Sequence, residues 1–491
     1  MSALSGIKPQ NVFKYFEEIC NIPHGSGNTK QISDYLVEFA KGHSLKYHQD
    51  ELNNIIIWKD ATKGYENAPG VIIQGHMDMV CEKENDCRID FEKDGLELVV
   101  DGNVIYAKGT TLGGDDGIAV AYALAILDSD EICHPSLEVV ITVDEEIGML
   151  GAAAIDGDLI KGRIMLNIDS EEEGSLLISC AGGTAVTCDL PVNCDIIQPS
   201  NICIDLKISG ISGGHSGMEI INQGANANKV MGRVLYNLKK QVSYKLVSIQ
   251  GGQKDNAIPR ECNIVLTMAN NETNIALLSD IVSYYNDILK KEYNNTDADI
   301  SLSYEICSLN EDFSMTDEST DRVITALVNI PNGVMRMSSD ISGLVQTSLN
   351  LGKVKSYNGL SNKVVRFVSL VRSSVESEKK EIVLRLECLL NSLGGSIQCD
   401  GDYPAWEYKK DSKLRELMIN IYEKMYGKKP KVEAIHAGVE CGLFAGKLNG
   451  LDCVSYGPRI EDIHTTSERI YIDSVVRTWN YTLEVLKQMR S

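Results

Sequence analysis

The sequence predicts an α/β domain with a mixed, largely parallel sheet, interrupted by an inserted α+β domain. Helical and strand-like segments alternate along residues 1–186 and again along 400–491, whereas the segment between them, 187–399, mixes helices with half-buried strands. The chain has 491 residues, more than one hydrophobic core usually accommodates. We therefore expect two domains, the second inserted into the first.

The first part of the chain has the alternation that is typical of an α/β fold. Apolar residues recur at helical spacing in three segments, and four short apolar runs have the length of strands. The expected helices lie at 11–20, 29–42 and 116–127, and the expected strands at 54–58, 71–74, 137–143 and 163–168.

The middle part differs because polar and apolar residues alternate along its strands. This alternation indicates a sheet with one face covered by helices and one face exposed. A turn at Gly401-Asp402-Tyr403-Pro404 is expected where the middle part ends. We expect strands at 202–208 and 264–268, helices at 226–239 and 280–293, and either element at 381–390; a helix at 413–426 and a strand at 451–456 then resume the first pattern.

Charge and composition exclude several classes of partner and location. The formal charge of −22 argues against nucleic acid or an anionic membrane, because both require clustered Lys and Arg. The N-terminal 20 residues do not resemble a signal peptide, and the longest apolar helical stretch, 118–127, is too short to cross a bilayer. The 14 cysteines are scattered without a Cys-x-x-Cys pair, which favours reduced thiols. We expect a soluble, cytoplasmic protein.

Four apolar runs lead into residues that can bind or activate a metal ion. The runs at 71–75, 137–143 and 163–168 are followed directly by such residues, and the run at 451–456 leads towards another. In open α/β sheets, ligands bind in the crevice beyond the carboxyl ends of the strands. One crevice could therefore hold all the candidates, which are His76, Asp78, Glu145, Glu146, Asp169 and His464.

A further candidate lies in a glycine-rich loop. Asp115 follows Gly113 and Gly114 at the start of an expected helix, and glycines let the backbone bend around an ion. A hydrolytic site with two metal ions needs one carboxylate that both ions share and an unbound base beside the attacking water. We interpret Asp115 as the shared carboxylate.

The spacing within two pairs of candidates suggests different tasks. His76 and Asp78 point the same way from an extended segment, so Asp78 can hold the imidazole from behind. Glu145 and Glu146 are adjacent and point to opposite sides of an extended backbone, so one can bind metal while the other remains free as a base.

The charges of such a ligand set suit two zinc ions. Carboxylates of Asp115, Glu146 and Asp169, together with two neutral imidazoles, would leave a charge of about +1 on the pair of ions. A bound hydroxide would neutralise it, and metal binding lowers the pKa of water to about 7. Hydroxide would then be available at neutral pH.

Two other kinds of site are disfavoured. The stretch 109–117 lacks Gly-x-Gly-x-x-Gly and has two aspartates where a pyrophosphate would lie. Gly214-His215-Ser216-Gly217 lacks the spacing of a Gly-x-Ser-x-Gly nucleophile turn. A single His-x-Asp or Glu-Glu pair is more often a surface feature, so the prediction depends on the coincidence of candidates at four strand ends.

Motifs along almost the whole chain resemble those of the M20 metallopeptidases. They include Gly75-His76-Met77-Asp78, Gly113-Gly114-Asp115, Asp144-Glu145-Glu146-Ile147-Gly148, Gly213-Gly214-His215-Ser216-Gly217, Asn256-Ala257-Ile258-Pro259-Arg260, Val371-Arg372-Ser373-Ser374 and His436-Ala437-Gly438-Val439-Glu440. Within that family, the chain is most similar to the aminoacyl-histidine (Xaa-His, or β-Ala-His) dipeptidases.

The resemblance implies a division of roles among the candidates. One zinc ion would be bound by His76 and Asp169 and the other by Glu146 and His464, with Asp115 shared; Mn²⁺ or Co²⁺ are possible substitutes. Glu145 would be the general base. Asp78 would contribute to catalysis by holding the imidazole of His76. Ile463 before His464 departs from the Pro-His-Ser-Pro of many relatives, which leaves the metal preference open.

The resemblance also implies a function for the inserted domain. Residues 1–186 and 400–491 would form the catalytic domain, and 187–399 a lid that also forms a homodimer. His215 would stabilise the oxyanion, arriving by closure or from a partner subunit. Asn256 would contact the substrate and Arg372 would bind its carboxylate, although Arg372 could equally be a surface arginine.

The leading hypothesis is a dinuclear-zinc dipeptidase that hydrolyses short unblocked dipeptides, preferably Xaa-His, through a metal-bound hydroxide. The alternative enzyme is an M20 amidohydrolase or tripeptidase that acts on N-acyl amino acids or other small peptides. Such enzymes have the same metal-binding residues as the dipeptidases. A non-catalytic relative that binds peptide or metal is the alternative from another class. Such relatives usually lose ligands or the base, and this sequence retains them.

Overall fold

The computed structural model describes residues 3–308, 312–358 and 363–490 and divides into two compact units. The first unit comprises Met1–Cys180, Tyr408–Ala434 and Val439–Ser491, and the second comprises Ala181–Glu407 and Ile435–Gly438. The limits expected from the sequence, 187 and 399, fall inside the second unit rather than at its ends. The reason is that strand Gly182–Pro191 already belongs to the second unit's sheet and pairs with Ser396–Tyr403.

The first unit contains an eight-stranded mixed sheet with a parallel centre. Val71–His76 lies between Leu137–Thr142 and Ile164–Asn167 and runs parallel to both, and Asp452–Ser455 runs parallel to Ile164–Asn167. Val71–His76 and Leu137–Thr142 are rich in Val, Ile and Leu and buried along their whole length, because both faces of a parallel sheet are covered. In spatial order the strands are Lys46–Gln49, Ile55–Lys59, Leu137–Thr142, Val71–His76, Ile164–Asn167, Asp452–Ser455, Ser175–Cys180 and Lys431–Ile435.

The helices of the first unit cover this sheet. Gly114–Asp128 is buried along nearly its whole length, which agrees with a sequence that is apolar on all sides. A smaller antiparallel sheet consists of Ile460–Glu461, Arg469–Tyr471, Val104–Ala107 and Leu98–Asp101 in that order. The helices are Gln10–Cys20, Lys30–Gly42, Gly114–Asp128, Leu150–Ala154, Lys413–Tyr426, Glu440–Lys447 and Ile472–Gln488, with a 3₁₀ turn at Gly157–Leu159.

The second unit is an antiparallel sheet with helices. Along Asn201–Ser209, Ile204 and Leu206 are fully buried while Asp205 and Lys207 are partly exposed, as the alternation predicts. The sheet order is Ser301–Cys307, Asn201–Ser209, Cys262–Ala269, Tyr244–Gly251, Val345–Asn358, Lys363–Ser373, Gly182–Pro191 and Ser396–Tyr403, and Gly333–Met337 pairs with Val345–Asn358. Two short antiparallel ribbons pair Cys194–Ile196 with Phe313–Met315 and Gly214–His215 with Ala257–Ile258. The helices are Ala227–Lys239, Glu272–Glu292, Asp317–Asn329 and Glu376–Ser392, with a 3₁₀ turn at Ile220–Asn222.

The predicted fold class is confirmed, and three local expectations are corrected or decided. The helix expected from 280 begins at Glu272, because the Asn271 side chain caps it by accepting the Asn274 N–H at 2.8 Å. The ambiguous stretch 381–390 is helical, within Glu376–Ser392. The expected turn at 401–404 is a bulge within strand Ser396–Tyr403.

Within the described ranges, no helix is both long enough and apolar enough to cross a membrane.

Candidate metal centre and active site

Three neighbouring parallel strands bring candidate ligands to the same edge of the sheet. His76 is the last residue of its strand and pairs in register with Thr142, two residues before Asp144. On the other side, Gln74 pairs with Asn167, two residues before Asp169. Strand order and register therefore place the polar segments that follow these strands side by side.

The first candidate ligand group surrounds His76. Its Nε2 lies 3.1 Å from Asp115 Oδ1 and 3.4 Å from Asp169 Oδ1. The His76 side chain is 1% exposed, and the two carboxylates are 11% and 9% exposed. One oxygen of each carboxylate thus lies within 3.5 Å of the same imidazole nitrogen, in a largely buried position.

The second candidate group surrounds His464. Its Nε2 lies 2.9 Å from Glu146 Oε1 and 3.4 Å from Asp115 Oδ2. The two oxygens of Asp115 therefore face two different imidazoles. His464 reaches this position from a loop in which its φ is +61°, a conformation that is uncommon for residues other than glycine.

The charges of the site fit two divalent cations. Hydrogen bonds that the carboxylates of Asp115 and Glu146 accept from the imidazole raise the pKa of His464 to about 10. Burial alone would lower the pKa of His76, but hydrogen bonds to Asp115 and Asp169 outweigh it and raise that pKa well above its ordinary value. The carboxylates thus favour positive charge at both imidazoles, and nitrogen and oxygen donors together suit borderline ions such as Zn²⁺.

Asp78 supports this arrangement in two ways. His76 Nδ1 lies 3.0 Å from the Asp78 carbonyl oxygen and 3.5 Å from Asp78 Oδ1, so a proton on Nδ1 leaves Nε2 with its lone pair towards the site. The Asp78 carboxylate also accepts the Glu145 N–H at 3.1 Å and the Ser26 hydroxyl at 2.8 Å. It therefore anchors the backbone of the Glu145-Glu146 pair as well as the imidazole.

Glu145 adjoins the ligand groups, in a partly buried position. One of its carboxylate oxygens lies within 4.8 Å of ligand atoms of His76 and Glu146. Burial raises the pKa of Glu145 to about 9, and the negative charges of Asp169 and Glu440 add to this effect. Bound cations would oppose it, because they add positive charge beside the carboxyl.

Asp116 is a nearby carboxyl that sequence reasoning did not consider. It forms a possible ligand group with His76 and Asp169. Its Oδ2, however, accepts the backbone N–H of His76 at 3.2 Å, and burial raises its pKa well above the usual value. Asp115 is the better candidate for the shared carboxylate, because its two oxygens face both imidazoles.

A cluster of buried polar side chains lies at the ends of the central strands, next to the candidate ligands. The sequence analysis missed it. The Glu440 carboxylate accepts hydrogen bonds from Thr142 Oγ1 at 2.7 Å and Gln74 Nε2 at 2.5 Å, and Gln74 Oε1 accepts Asn167 Nδ2 at 2.5 Å. These bonds join the three central strands at or close to their ends. The signal was present as Gln, Thr and Asn at the ends of otherwise apolar runs.

His215 belongs to the second unit, where its ring is held in one orientation. Its Nδ1 accepts the backbone N–H groups of Gly217 at 3.3 Å and Met218 at 3.4 Å. The proton of the neutral ring is therefore on Nε2. Burial, followed by the positive charge of Arg372, lowers the pKa of His215.

Asn256 is exposed and lies beside His215 in the second unit. The carbonyl oxygen of Asn256 accepts the Ser216 N–H at 2.9 Å, and Ala257 pairs with His215 in a short ribbon. The structure thus brings together two residues that lie 41 positions apart (256 − 215).

Arg372 is buried in the second unit, with only 6% of its surface exposed, so the alternative of a surface arginine is wrong. Its Nη1 donates to the Tyr403 hydroxyl at 2.9 Å, and its buried Nε has no hydrogen-bond partner among the described residues. Burial and the charge of Arg372 lower the pKa of His436 to about 3, and the ring of His436 bonds with the Ser348 hydroxyl at 2.7 Å. His436 and Ser348 were not candidates in the sequence analysis.

Comparison with known proteins identifies the family of the chain. The sequence model described as Peptidase family M20/M25/M40 matches residues 72–488. The chain is 36% identical over 489 residues to the cytosol non-specific dipeptidase of Escherichia coli (strain K12), covering 100% of this chain and 99% of that protein.

Solved structures extend the likeness to the fold. The aminoacylhistidine dipeptidase of Vibrio alginolyticus has a TM-score of 0.93 and 36% identity, with 99% of this chain and 98% of that chain covered. The aminopeptidase PepT of Bacillus cereus, with a TM-score of 0.60 and 16% identity over 99% and 100% of the two chains, shares the fold. The chain therefore belongs to the M20/M25/M40 family of peptidases.

Proposed function

We propose that the protein is a cytoplasmic, dinuclear-zinc dipeptidase that hydrolyses short unblocked dipeptides and prefers Xaa-His. The observation that carries the proposal is the placement of Asp115. Its oxygens lie 3.1 Å from His76 Nε2 and 3.4 Å from His464 Nε2. Asp169 and Glu146 complete the two ligand groups that share this carboxylate.

Within the proposed centre, His76 and Asp169 hold one ion and Glu146 and His464 hold the other. When bound, the two ions would polarise the peptide carbonyl and lower the pKa of the attacking water. Asp78 fixes the tautomer of the His76 ring by accepting a hydrogen bond from Nδ1. The proposed identity of the ions as Zn²⁺, with Mn²⁺ or Co²⁺ as substitutes, follows from the mixed nitrogen and oxygen donors.

Glu145 is the proposed general base. Its carboxylate accepts a proton from the water as the oxygen of that water attacks the peptide carbon. The same carboxyl then gives the proton to the nitrogen of the leaving residue as the C–N bond breaks. The Asp78 carboxylate accepts the Glu145 N–H at 3.1 Å and the Glu146 N–H at 3.4 Å, and so anchors the backbone of both residues.

His215 is the proposed donor to the oxyanion. Its Nε2–H is available because Nδ1 already accepts two backbone N–H groups. The lowered pKa keeps the ring neutral at pH 7, so it donates a hydrogen bond without giving up its proton. Asn256, beside it, is proposed to contact the substrate.

Arg372 is proposed to bind the substrate's free carboxylate. A buried guanidinium with an unpartnered N–H retains hydrogen-bonding capacity for an anion, and the fork of N–H groups matches a carboxylate. This requirement for a free carboxylate next to the leaving residue favours dipeptides over blocked or longer substrates.

Substrate preference, location and oligomeric state are three further parts of the proposal. The E. coli relative is named non-specific and the Vibrio relative aminoacylhistidine dipeptidase, so both support dipeptides and only the second supports Xaa-His. The cytoplasm agrees with scattered cysteines and with the name of the E. coli relative. A homodimer formed through the second unit is implied by the resemblance to the family.

A hydrolysis panel tests the proposal. Purified, metal-loaded protein is compared on carnosine, Gly-His, Gly-Leu, matched tripeptides and N-acetyl amino acids. Dipeptides ending in His should exceed tripeptides and acetylated analogues in kcat/KM by at least about tenfold, or roughly 1.4 kcal/mol. Equal rates for Gly-His and Gly-Leu would remove the Xaa-His preference and leave the dipeptidase.

The same panel distinguishes the alternatives. Faster cleavage of tripeptides or acetylated substrates would identify an M20 amidohydrolase or tripeptidase. Absence of hydrolysis by protein that carries two ions would identify the non-catalytic relative. Activity that survives removal of all metal by a chelator would contradict the proposed site.

A further inference from the structure

The carboxylate of Glu468 accepts hydrogen bonds from four successive backbone N–H groups in the first unit. The donors are Leu112 at 2.7 Å, Gly113 at 3.2 Å, Gly114 at 2.8 Å and Asp115 at 3.5 Å. Glu468 is only 2% exposed. A charged side chain is thus buried against the backbone that carries the proposed shared ligand, more than 350 residues away in the sequence.

These N–H groups need an external partner. Gly114 and Asp115 begin helix Gly114–Asp128, which has no side-chain cap of its own, and the first N–H groups of a helix have no partner within the helix. Gly113 adopts a φ of +68°, which turns the neighbouring N–H groups towards one point. Glu468 satisfies them, and so determines where the loop places Asp115.

Glu468 also anchors the segment that carries His464. Its own N–H donates to the Thr465 carbonyl at 3.1 Å, closing a turn directly after His464. The His464 side chain is 45% exposed and its backbone is left-handed, so little packing holds the ring in position. The location of this ligand therefore depends on the anchoring of its segment.

The two loops leave the same small sheet. Arg469, next to Glu468, pairs with Tyr106 in the antiparallel ribbon of Arg469–Tyr471 with Val104–Ala107. One strand is preceded by the His464 segment and the other is followed by the Asp115 loop. Glu468 lies where they separate and joins them by hydrogen bonds.

His76 and Asp169 are anchored differently. They end or follow central strands of the large sheet, whose register is set by backbone ladders. We infer that Glu468 is a positioning residue of the dinuclear centre, which sets the distance between Asp115 and His464. Its loss should weaken most the ion bound by Asp115, Glu146 and His464, because that ion depends on both segments that Glu468 joins, whereas the other ion depends only on Asp115. The inference rests on the metal-binding part of the proposed function.

Metal binding and amide exchange of Glu468→Gln test the inference without measuring turnover. The amide side chain keeps the size of Glu468 but turns an NH₂ group towards backbone N–H groups. Mn²⁺ titration of the metal-free variant should show the affinity for one ion weakened by about 10- to 100-fold and the affinity for the other weakened less, because only its shared ligand Asp115 is displaced. In the metal-free variant, the amides of residues 112–115 should exchange at least about tenfold faster, because hydrogen bonds to a charged group are lost.

Glu461→Gln is the matched control. Glu461 is a carboxylate in the same segment, and it bonds with Arg459, Arg469 and Tyr471 rather than with the Asp115 loop. If the loss of a negative charge alone weakened metal binding, both variants would bind metal more weakly. If the loss of positioning is the cause, only Glu468→Gln should do so. Glu468→Asp keeps the charge and should recover part of the affinity.

The outcomes separate this inference from the proposed function. If wild type binds two ions and Glu468→Gln binds two ions with wild-type affinity, the positioning role is overturned and the dinuclear site is not. A wild type that binds no ions would overturn both. If Glu468→Gln does not fold, amide exchange in the wild type and in Glu468→Asp tests the positioning role instead. The role would be overturned if the amides of residues 112–115 were unprotected in the metal-free wild type. It would also be overturned if Glu468→Asp bound both ions with wild-type affinity while these amides were unprotected.

Discussion

The candidate metal-binding histidines of the first unit and the histidines near Arg372 in the second unit have opposite electrostatic settings. In the first unit, surrounding carboxylates raise the pKa of His76 and His464. In the second unit, burial and the charge of Arg372 lower the pKa of His215 and His436. The same residue type is thus placed where a cation is favoured in one unit and where a neutral ring is favoured in the other.

This contrast teaches that metal retention and substrate handling are separable. A histidine among carboxylates suits a metal ligand, because cations replace the protons that the carboxylates attract. A neutral histidine near a buried arginine suits hydrogen bonding to an oxyanion. Substitutions in the first unit's ligand groups should therefore change metal content, and substitutions in the second unit should change only turnover or substrate affinity.

The largest effect is expected from Asp115→Ala. The change removes a ligand from both proposed ions at once, so metal content should fall from up to two ions per chain and activity should be lost. Elemental analysis of the purified variant measures this. Asp101→Ala, at an exposed aspartate of the same unit, is the control and should retain its metal. An Asp115→Ala protein with two ions would contradict the shared-ligand role.

The next effect separates the neighbours Glu145 and Glu146. Glu145→Gln should keep its metal and lose roughly 10²- to 10⁴-fold in kcat, because only proton transfer is removed. Glu146→Gln should instead weaken the ion bound with His464. Metal analysis and steady-state kinetics on both variants check the assignment. The reverse pattern would exchange the roles of the two residues.

A smaller effect is expected from His215→Ala. Loss of one oxyanion donor should lower kcat by roughly 10²- to 10³-fold while metal content stays unchanged. Tyr236→Ala, at an exposed residue of the same unit, serves as the control. Loss of metal from His215→Ala would break the separation between the units.

Mixing variants sharpens this prediction. If His215 acts across a dimer, dimers of His215→Ala chains with Glu145→Gln chains should regain part of the activity. Failure of confirmed mixed dimers to do so would favour action within one chain.

The smallest effect is expected from Arg372→Ala. Loss of a charge-assisted hydrogen bond to the substrate carboxylate should raise KM by roughly 10- to 100-fold with metal content unchanged. Dipeptide amides, which lack that carboxylate, supply the control: wild type and variant should cleave them with similar kcat/KM. An equal loss on acids and amides would show that Arg372 supports the structure of the second unit rather than the carboxylate.

Several elements could be predicted from local pattern alone. The runs at 71–74, 137–143 and 163–168 are strands Val71–His76, Leu137–Thr142 and Ile164–Asn167 in the structure. Their apolar composition predicts burial, and the common edge at which parallel strands end predicts that the following polar residues lie close together. The candidate ligands could be found in this way because parallel strands end at the same edge of the sheet whatever their order in it.

Other features depend on contacts between distant residues. That Asp115 rather than Asp116 faces both imidazoles follows from the conformation of one loop, which adjacent identical residues do not reveal. Glu468 and Glu440 looked like ordinary acidic residues, yet each is buried among hydrogen-bond donors far away in the chain. Only the fold identifies these partners.

The sequence by itself determined the α/β and α+β segments, the apolar strands and the residue types that can bind metal, because periodicity and the chemistry of side chains are local properties. The tertiary structure decided the strand order, the burial of Arg372 and the supports beneath the ligands. Those features arise from hydrogen bonds and packing between residues separated by hundreds of positions, such as Leu112 with Glu468, and no local pattern encodes such a pairing.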